Sequence, residues 1–221
     1  MRFRNTIMFA ALLLSSTVAF AQEETQRIEL FGEYSYLRFN PTLPRLNNRS
    51  FNGGGGGATF NINHFLGIKA ELLGYGSTTF SITNSSSTPV VTPRIANAVI
   101  PVGTFSSQGN MFTYLFGPVV KLPMSRITPF GELLFGGSNS NAYANLSKAI
   151  IAGGGTLNAS ASGTQHPFTM AFGGGLDVHI NHNFSIRPIE LDWVLSRYTN
   201  PFTSTNNQNS FRYTAGFVYR F

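Results

Sequence analysis

Seven of the nine acidic residues in this 221-residue chain stand in stretches where apolar and polar side chains alternate: Glu29, Glu33, Glu71, Glu132, Asp177, Glu190 and Asp192. Each is flanked by residues that lipid tolerates, as Ala70 and Leu72 flank Glu71 and Leu191 and Trp193 flank Asp192. Neighbours on a β-strand point to opposite faces, so the acids share one face and their neighbours the other. Lys69, Arg187, Arg212 and Arg220 fall on the acid face by the same alternation. Two kinds of chemistry suit both signs of charge on one inward face. One is a structural salt-bridge core; the other is a ring of carboxylates that selects cations or titrates with protons. Glu29-Leu30, Glu71-Leu72, Glu132-Leu133 and Glu190-Leu191 repeat one pair on four segments, and Glu71 and Glu132 both stand six residues past a tight turn. Glu71, Glu132 and Glu190 are therefore expected at a similar height.

Catalysis by histidine finds less support. His64 and His182 fall in tight turns, His179 pairs with Asp177 on the inner face, and His166 stands near the outer rim in Gln165-His166-Pro167-Phe168, which holds no serine. The chain has no cysteine, so a disulfide framework and a thiolate metal site are both excluded. No cofactor is expected. The formal charge of +6 falls to +4 if Arg2 and Arg4 leave with a signal, and the remaining basic residues are scattered. That distribution argues against nucleic acid as a partner.

The elements that position these residues begin after an export signal. Arg2 and Arg4 form a positive start, Ile7 to Leu14 an apolar run, and Ala19-Phe20-Ala21 a small-x-small site, so cleavage is expected before Gln22. Residues 1–21 are then a signal peptide and 22–221 one domain. No apolar run of about 18 residues follows, so no membrane-spanning helix is expected. An exported chain without such a helix spans a bilayer only as a closed barrel, because unpaired backbone groups are too costly in hydrocarbon.

Eight strand patterns are legible, at Arg27–Phe39, Asn52–Ile62, Leu66–Gly76, Gly109–Val120, Ile127–Gly137, Pro167–Ile180, Phe184–Leu195 and Ser210–Phe221. Tight turns at Asn63–Phe65, Leu122–Arg126 and Asn181–Asn183 alternate with long polar loops at Asn40–Phe51, Ser77–Gln108, Ser138–His166 and Ser196–Asn209. Short periplasmic turns and long outer loops are how outer-membrane barrels are built. The pattern predicts an all-β, eight-stranded antiparallel up-and-down transmembrane β-barrel. Its interior would hold Glu33, Lys69, Glu71, Glu132, Asp177, Arg187, Glu190, Asp192, Arg212 and Arg220. Tyr36, Tyr114, Trp193 and Tyr213 would form an aromatic belt at the outer rim, with Tyr219 and Phe221 at the periplasmic one.

A weak repeat sharpens one strand. Ile62-Asn63-His64 leads into Ile68-Lys69-Ala70-Glu71-Leu72, and Ile180-Asn181-His182 leads into Ile186-Arg187-Pro188-Ile189-Glu190-Leu191, with one more residue between base and acid. That extra residue beside a proline predicts a β-bulge near Pro188. The clusters Gly53–Gly57 and Gly173–Gly175 lack the helix and lysine of a nucleotide loop and suit close strand approach instead.

The eight-strand pattern, the opening Phe31-Gly32-Glu33-Tyr34-Ser35-Tyr36 and the closing Gly216-Phe217-Val218-Tyr219-Arg220-Phe221 resemble the OmpA-like, or OmpX-type, small outer-membrane barrels over the whole mature chain. The resemblance implies an integral protein of a Gram-negative outer membrane, in contact with its lipid and lipopolysaccharide. It also implies that Phe217, Tyr219 and Phe221 are the signal read by the barrel-assembly machinery. The chain is expected to lack the peptidoglycan-binding domain of full-length OmpA, so a cell-wall tether is unsupported. Similar barrels include lipid A deacylases and palmitoyltransferases, but the segment around His166 does not match the deacylase pattern, and no enzyme is expected. Since an eight-stranded barrel is only wide enough for side chains to fill, a structural or surface-interaction role is expected, with a narrow porin-like channel as the alternative. The loops Ser77–Gln108 and Ser138–His166 are where an extracellular ligand would bind.

Overall fold

The computed structural model describes residues 27–40, 49–85, 90–91, 99–156, 165–197 and 207–221; the signal segment, Glu23 and Glu24 lie outside them. Among these residues ten strands are present: β1 (Ile28–Asn40), β2 (Arg49–Asn61), β3 (Leu66–Asn84), β4 (Val90–Val91), β5 (Val99–Ile100), β6 (Gly103–Lys121), β7 (Ile127–Ser140), β8 (Phe168–His179), β9 (Phe184–Arg197) and β10 (Asn207–Arg220). Among the described residues one helix, α1 (Ala142–Ala152), lies between β7 and β8. Eight strands close into an antiparallel barrel in the order β1-β10-β9-β8-β7-β6-β3-β2, and β4 and β5 form a separate hairpin. Closure is made by β1 against β10, from Glu29 opposite Arg220 to Asn40 opposite Asn209.

Side chains are arranged inside out relative to a protein that faces water on all sides. Leu72 and Phe116 are 54% and 61% exposed, whereas Lys69 and Arg212 are each 1% exposed. Alternation carries this around the barrel, with polar groups inward and an apolar belt outward. Among the described residues no helix is long and apolar enough to cross a membrane.

The repeated Asn-His turns have a common cause. Asn63 Oδ1 accepts from the backbone N–H of Phe65 and Leu66, both at 2.8 Å, and Asn181 Oδ1 accepts from Asn183 (3.0 Å) and Phe184 (2.8 Å). An Asn side chain that stands in for a backbone acceptor builds the turn. The bulge falls at Pro188: against β10, the step from Arg187 to Glu190 opposes only the step from Gly216 to Thr214, and the register against β8 shifts at the same place. Arg187 and Glu190 consequently face inward together.

Two loop assignments are corrected. Strands β3 and β6 run on past Gly76 and Gly109 to Asn84 and Gly103, beyond a register shift between Tyr75 and Thr78. On this extension the outward face turns from apolar to hydroxyl-bearing, with Ser81 bonded to Ser106 and Thr83 to Thr104, both at 3.1 Å. The hairpin leaves the apolar belt there, and its polar outer face is what reads as loop. Segment Ser138–His166 likewise contains α1, whose Ala142, Leu146 and Ile150 are buried at helical spacing. They join Leu37, Phe39, Phe51, Leu73, Phe80, Ile82, Met111, Leu115, Leu134 and Val194 in one apolar cluster. It occupies the interior toward the long loops.

Candidate functional site

The barrel interior is layered. At the turn end Glu29 takes hydrogen bonds from Lys121 Nζ (2.5 Å), Arg220 Nε (3.1 Å) and Asn61 Nδ2 (3.1 Å). Arg220 continues to Asp177 at 3.3 Å, and also donates to His179 Nδ1 (2.8 Å) and to Ser185 Oγ. The Nε2 of His179 lies 2.9 Å from Thr128 Oγ1. Below this layer a cavity of about 920 Å³ is lined by Glu29, Lys121, Arg220, His179 and turn residues that include His64, His182 and Arg126.

The next layer holds the charges that alternation aligns. Lys69 Nζ lies 3.1 Å from Glu71, 3.0 Å from Glu132 and 3.0 Å from Glu190, so three of the four repeated glutamates do converge at one height. Glu29, the fourth, stands apart in the turn-end layer. Arg187 donates to Asp177 and to Glu190, each at 2.8 Å. Arg212 donates to Asp192 at 2.9 Å and to Glu71 through both Nη atoms. Phe31 and Phe130 flank Arg187, with ring centres 5.4 and 4.4 Å from Cζ. Such stacking shields the guanidinium without competing for its hydrogen bonds.

Glu33 is buried but differently placed. Neither carboxylate oxygen has a hydrogen-bond partner, and its ion pair with Arg187 is stretched to 4.0 Å. Two groups of carboxylates offer oxygens close enough to share a cation, Glu33 with Glu71 and Glu190, and Glu132 with Glu190 and Asp192.

Toward the loops the interior turns apolar, and the void bounded by Leu37, Tyr75, Met111, Leu115, Val194 and Arg212 amounts to about 10 Å³. A single water needs about that much room. The ion layer is thus covered by packed side chains.

Three residues of the interior escape a reading by charge and strand length. Lys121 is one step past the expected end at Val120, although it continues the inward series Leu115, Val119. Phe31 and Phe130 share the acids' face by the same parity, but aromatic type suggests lipid. Of the predicted belt, Tyr114 and Trp193 are exposed, and Tyr36 and Tyr213 stand opposite each other and half-exposed. Tyr36 Oη bonds Ser50 Oγ at 2.6 Å, and Tyr213 donates to the bulge carbonyl of Pro188 at 2.9 Å. Phe217, Tyr219 and Phe221 all point outward, Phe217 stacked on Phe184 and Tyr219 edge-on to Phe221. His166 is exposed beside the bridge between Ser140 and Gln165.

No family model and no curated protein matches the chain. Solved structures do. Neisserial surface protein A shares 7% identity, covering 88% of this chain and 97% of that one, with a TM-score of 0.50. Outer membrane protein OprG from Pseudomonas aeruginosa shares 14% identity over 88% and 95%, also with a TM-score of 0.50. Ail, the attachment invasion locus protein of Yersinia pestis, shares 12% over 89% and 100%, with a TM-score of 0.44. At these identities the first two, with TM-scores of 0.50, speak for the fold alone: this chain folds as a small closed eight-stranded barrel like those proteins, and the resemblance to OmpA-like and OmpX-type barrels stands at the level of the fold.

Proposed function

We propose that this small barrel resides in the outer membrane of a Gram-negative bacterium, after loss of residues 1–21, and serves a structural or surface-interaction role with its interior closed to solutes. The observation that carries this reading is the stacking of an apolar cluster, capped by α1, on a buried layer of interlocking salt bridges. A hydrated ion meets a double barrier there: the salt bridges bind their charges to one another, and the packed Leu and Phe side chains exclude its water. The exposed apolar belt suits lipid and lipopolysaccharide, Tyr36, Tyr114, Trp193 and Tyr213 suit its outer boundary, and the outward Phe217, Tyr219 and Phe221 suit recognition by the assembly machinery. The extended β3–β6 hairpin with α1 carries the surface that a partner outside the cell would meet.

The reading is tested in planar bilayers with the refolded protein. No steady conductance is expected. Persistent cation-selective current abolished by Glu71→Gln would establish a narrow channel and overturn the closed interior. For chemistry, His166 lies on the surface without a nucleophile in its segment, so no lipid A hydrolysis is expected; release of acyl chains by the wild type, lost in His166→Ala, would overturn that.

A further inference from the structure

The interior charges divide into two groups when paired off. At the turn end Glu29 and Asp177 are matched by Lys121 and Arg220, and Asp177 also takes a contact from Arg187 of the deeper group. Deeper in, five carboxylates, Glu33, Glu71, Glu132, Glu190 and Asp192, face only Lys69, Arg187 and Arg212. Ionised, this inner group carries two negative charges more than it has cations for. A buried charge without a counter-charge is costly.

Glu33 marks where a counter-charge belongs. Its side chain is 1% exposed, both of its oxygens lack a hydrogen-bond donor, and Arg187 spends its short contacts on Asp177 and Glu190. An oxygen from Glu33, one from Glu71 and one from Glu190 all lie within 4.8 Å of one another. Calcium holds oxygens at about 2.3–2.6 Å in adaptable geometry, so ligands on opposite sides of it stand about 4.6–5.2 Å apart; magnesium, at about 2.0–2.1 Å, demands a tighter octahedral cage. We propose that Glu33 of β1, Glu71 of β3 and Glu190 of β9 bind one divalent cation of calcium's size inside the barrel. Its two charges bring the inner group to neutrality. Lys69 and Arg212 also use Glu71, and Lys69 and Arg187 use Glu190, but a carboxylate offers about four lone-pair sites, so these can be shared. Glu33 supplies the ligand to which no other side chain donates a hydrogen bond. No two of the three strands are neighbours, and β9 meets β1 only across the closing β1–β10 seam, so the ion ties the two ends of the sheet together.

The inference is independent of whether the lumen conducts. Its test is elemental analysis of the mature protein, refolded in detergent without lipopolysaccharide, with calcium present, and then passed over a chelating resin. One calcium per folded wild-type chain is expected, none in Glu33→Gln, and full retention in Glu29→Gln, whose carboxylate belongs to the balanced turn-end group. Calcium is also expected to raise the urea midpoint of the wild type and not of Glu33→Gln. Should Glu33→Gln fail to fold, the wild type alone decides: a folded, calcium-free barrel with the same urea midpoint in calcium and in chelator overturns the proposal and leaves bound protons as the counter-charge. Retention of calcium by folded Glu33→Gln at the wild-type ratio overturns the site.

Discussion

Arg212 on β10 and Glu71 on β3 meet through two parallel N–H to oxygen contacts although 141 residues separate them in sequence. Arg212 is fully buried and also holds Asp192, 2.9 Å from its Nε. Arg212→Met leaves Asp192 without its cation and Glu71 with Lys69 alone, and loss of one partner of a buried pair costs about 3–5 kcal/mol. A matching fall in unfolding free energy is expected from urea titration in micelles. Adding Glu71→Gln to Arg212→Met is expected to restore part of the loss, because the second change removes a charge that Lys69 already shares with Glu132 and Glu190. Equal costs for the single and double variants would mean that Lys69 alone suffices to hold the Glu71 carboxylate.

The bulge makes an unusual deletion tolerable. Glu190 pairs with Thr214 and Arg187 with Gly216, so removing Pro188 leaves Ile189 opposite Ala215 and preserves the register on both sides. Arg187 and Glu190 keep their inward direction on a now regular strand. Deleting Ala70 from β3, where Lys69 and Glu71 already alternate regularly, turns one of them to lipid, at about 2–4 kcal/mol for a base near the midplane. The protein lacking Pro188 is therefore expected to refold and the one lacking Ala70 to refold poorly or not at all, as read by the fraction that resists protease in micelles. Failure of both, or success of both, would sink this account of the bulge.

Much of this was legible because a barrel wall obeys one rule, period two, over every strand. The inward acids, the four paired bases, the turn sites and the Pro188 bulge all follow from it. The apolar upper interior is legible by the same parity, since Leu73 stands two residues past Glu71, Leu134 two past Glu132 and Val194 two past Asp192. Charge draws attention to the acids, and nothing about leucine does. Thr79-Phe80-Ser81-Ile82-Thr83 also alternates, but its outward hydroxyls face water and match a loop in composition. The helix α1 was hidden by its setting: its buried Ala142, Leu146 and Ile150 recur every fourth residue inside a segment rich in Ser, Asn and Gly. Spatial choices among the charges, such as Lys69 reaching β9 and Glu33 left without a donor, depend on strand stagger, which alternation does not encode.

The apolar cluster is expected to be a major source of stability at the loop end. Phe51 is 1% exposed, with ring centres 5.9 Å from Phe39, 6.3 Å from Tyr75 and 5.7 Å from Phe80. Truncation of a buried Phe to Ala costs about 3–5 kcal/mol through lost transfer energy and a cavity. Phe51→Ala should show that loss in urea, yet remain non-conducting in planar bilayers because the ion layer below is untouched. Steady current from this variant alone would assign the barrier to the apolar cluster and leave the salt bridges without a sealing role.

Glycine and aromatic residues are paired across strands so that rings can lie over bare backbone. Phe31 stands opposite Gly57 and Phe130 opposite Gly175, and a Cβ built at either glycine would come within 2.7 Å or 2.8 Å of the ring. Both rings flank Arg187, so the bare backbone at these glycines leaves room for the aromatic walls of a buried cation as well as for the carbonyls of Ala70 and Ile189 on the next strands. Gly175→Val would push Phe130 off Arg187, and overpacking of this kind costs about 1–3 kcal/mol. In Phe130→Ala the ring is gone, and the added valine meets less resistance there, although the Ile189 carbonyl also lies close to its Cβ. The double variant is therefore expected to be more stable than the sum of the two single losses predicts. Strict additivity in urea denaturation would show that Gly175 is required by the backbone of β9 rather than by the Phe130 ring.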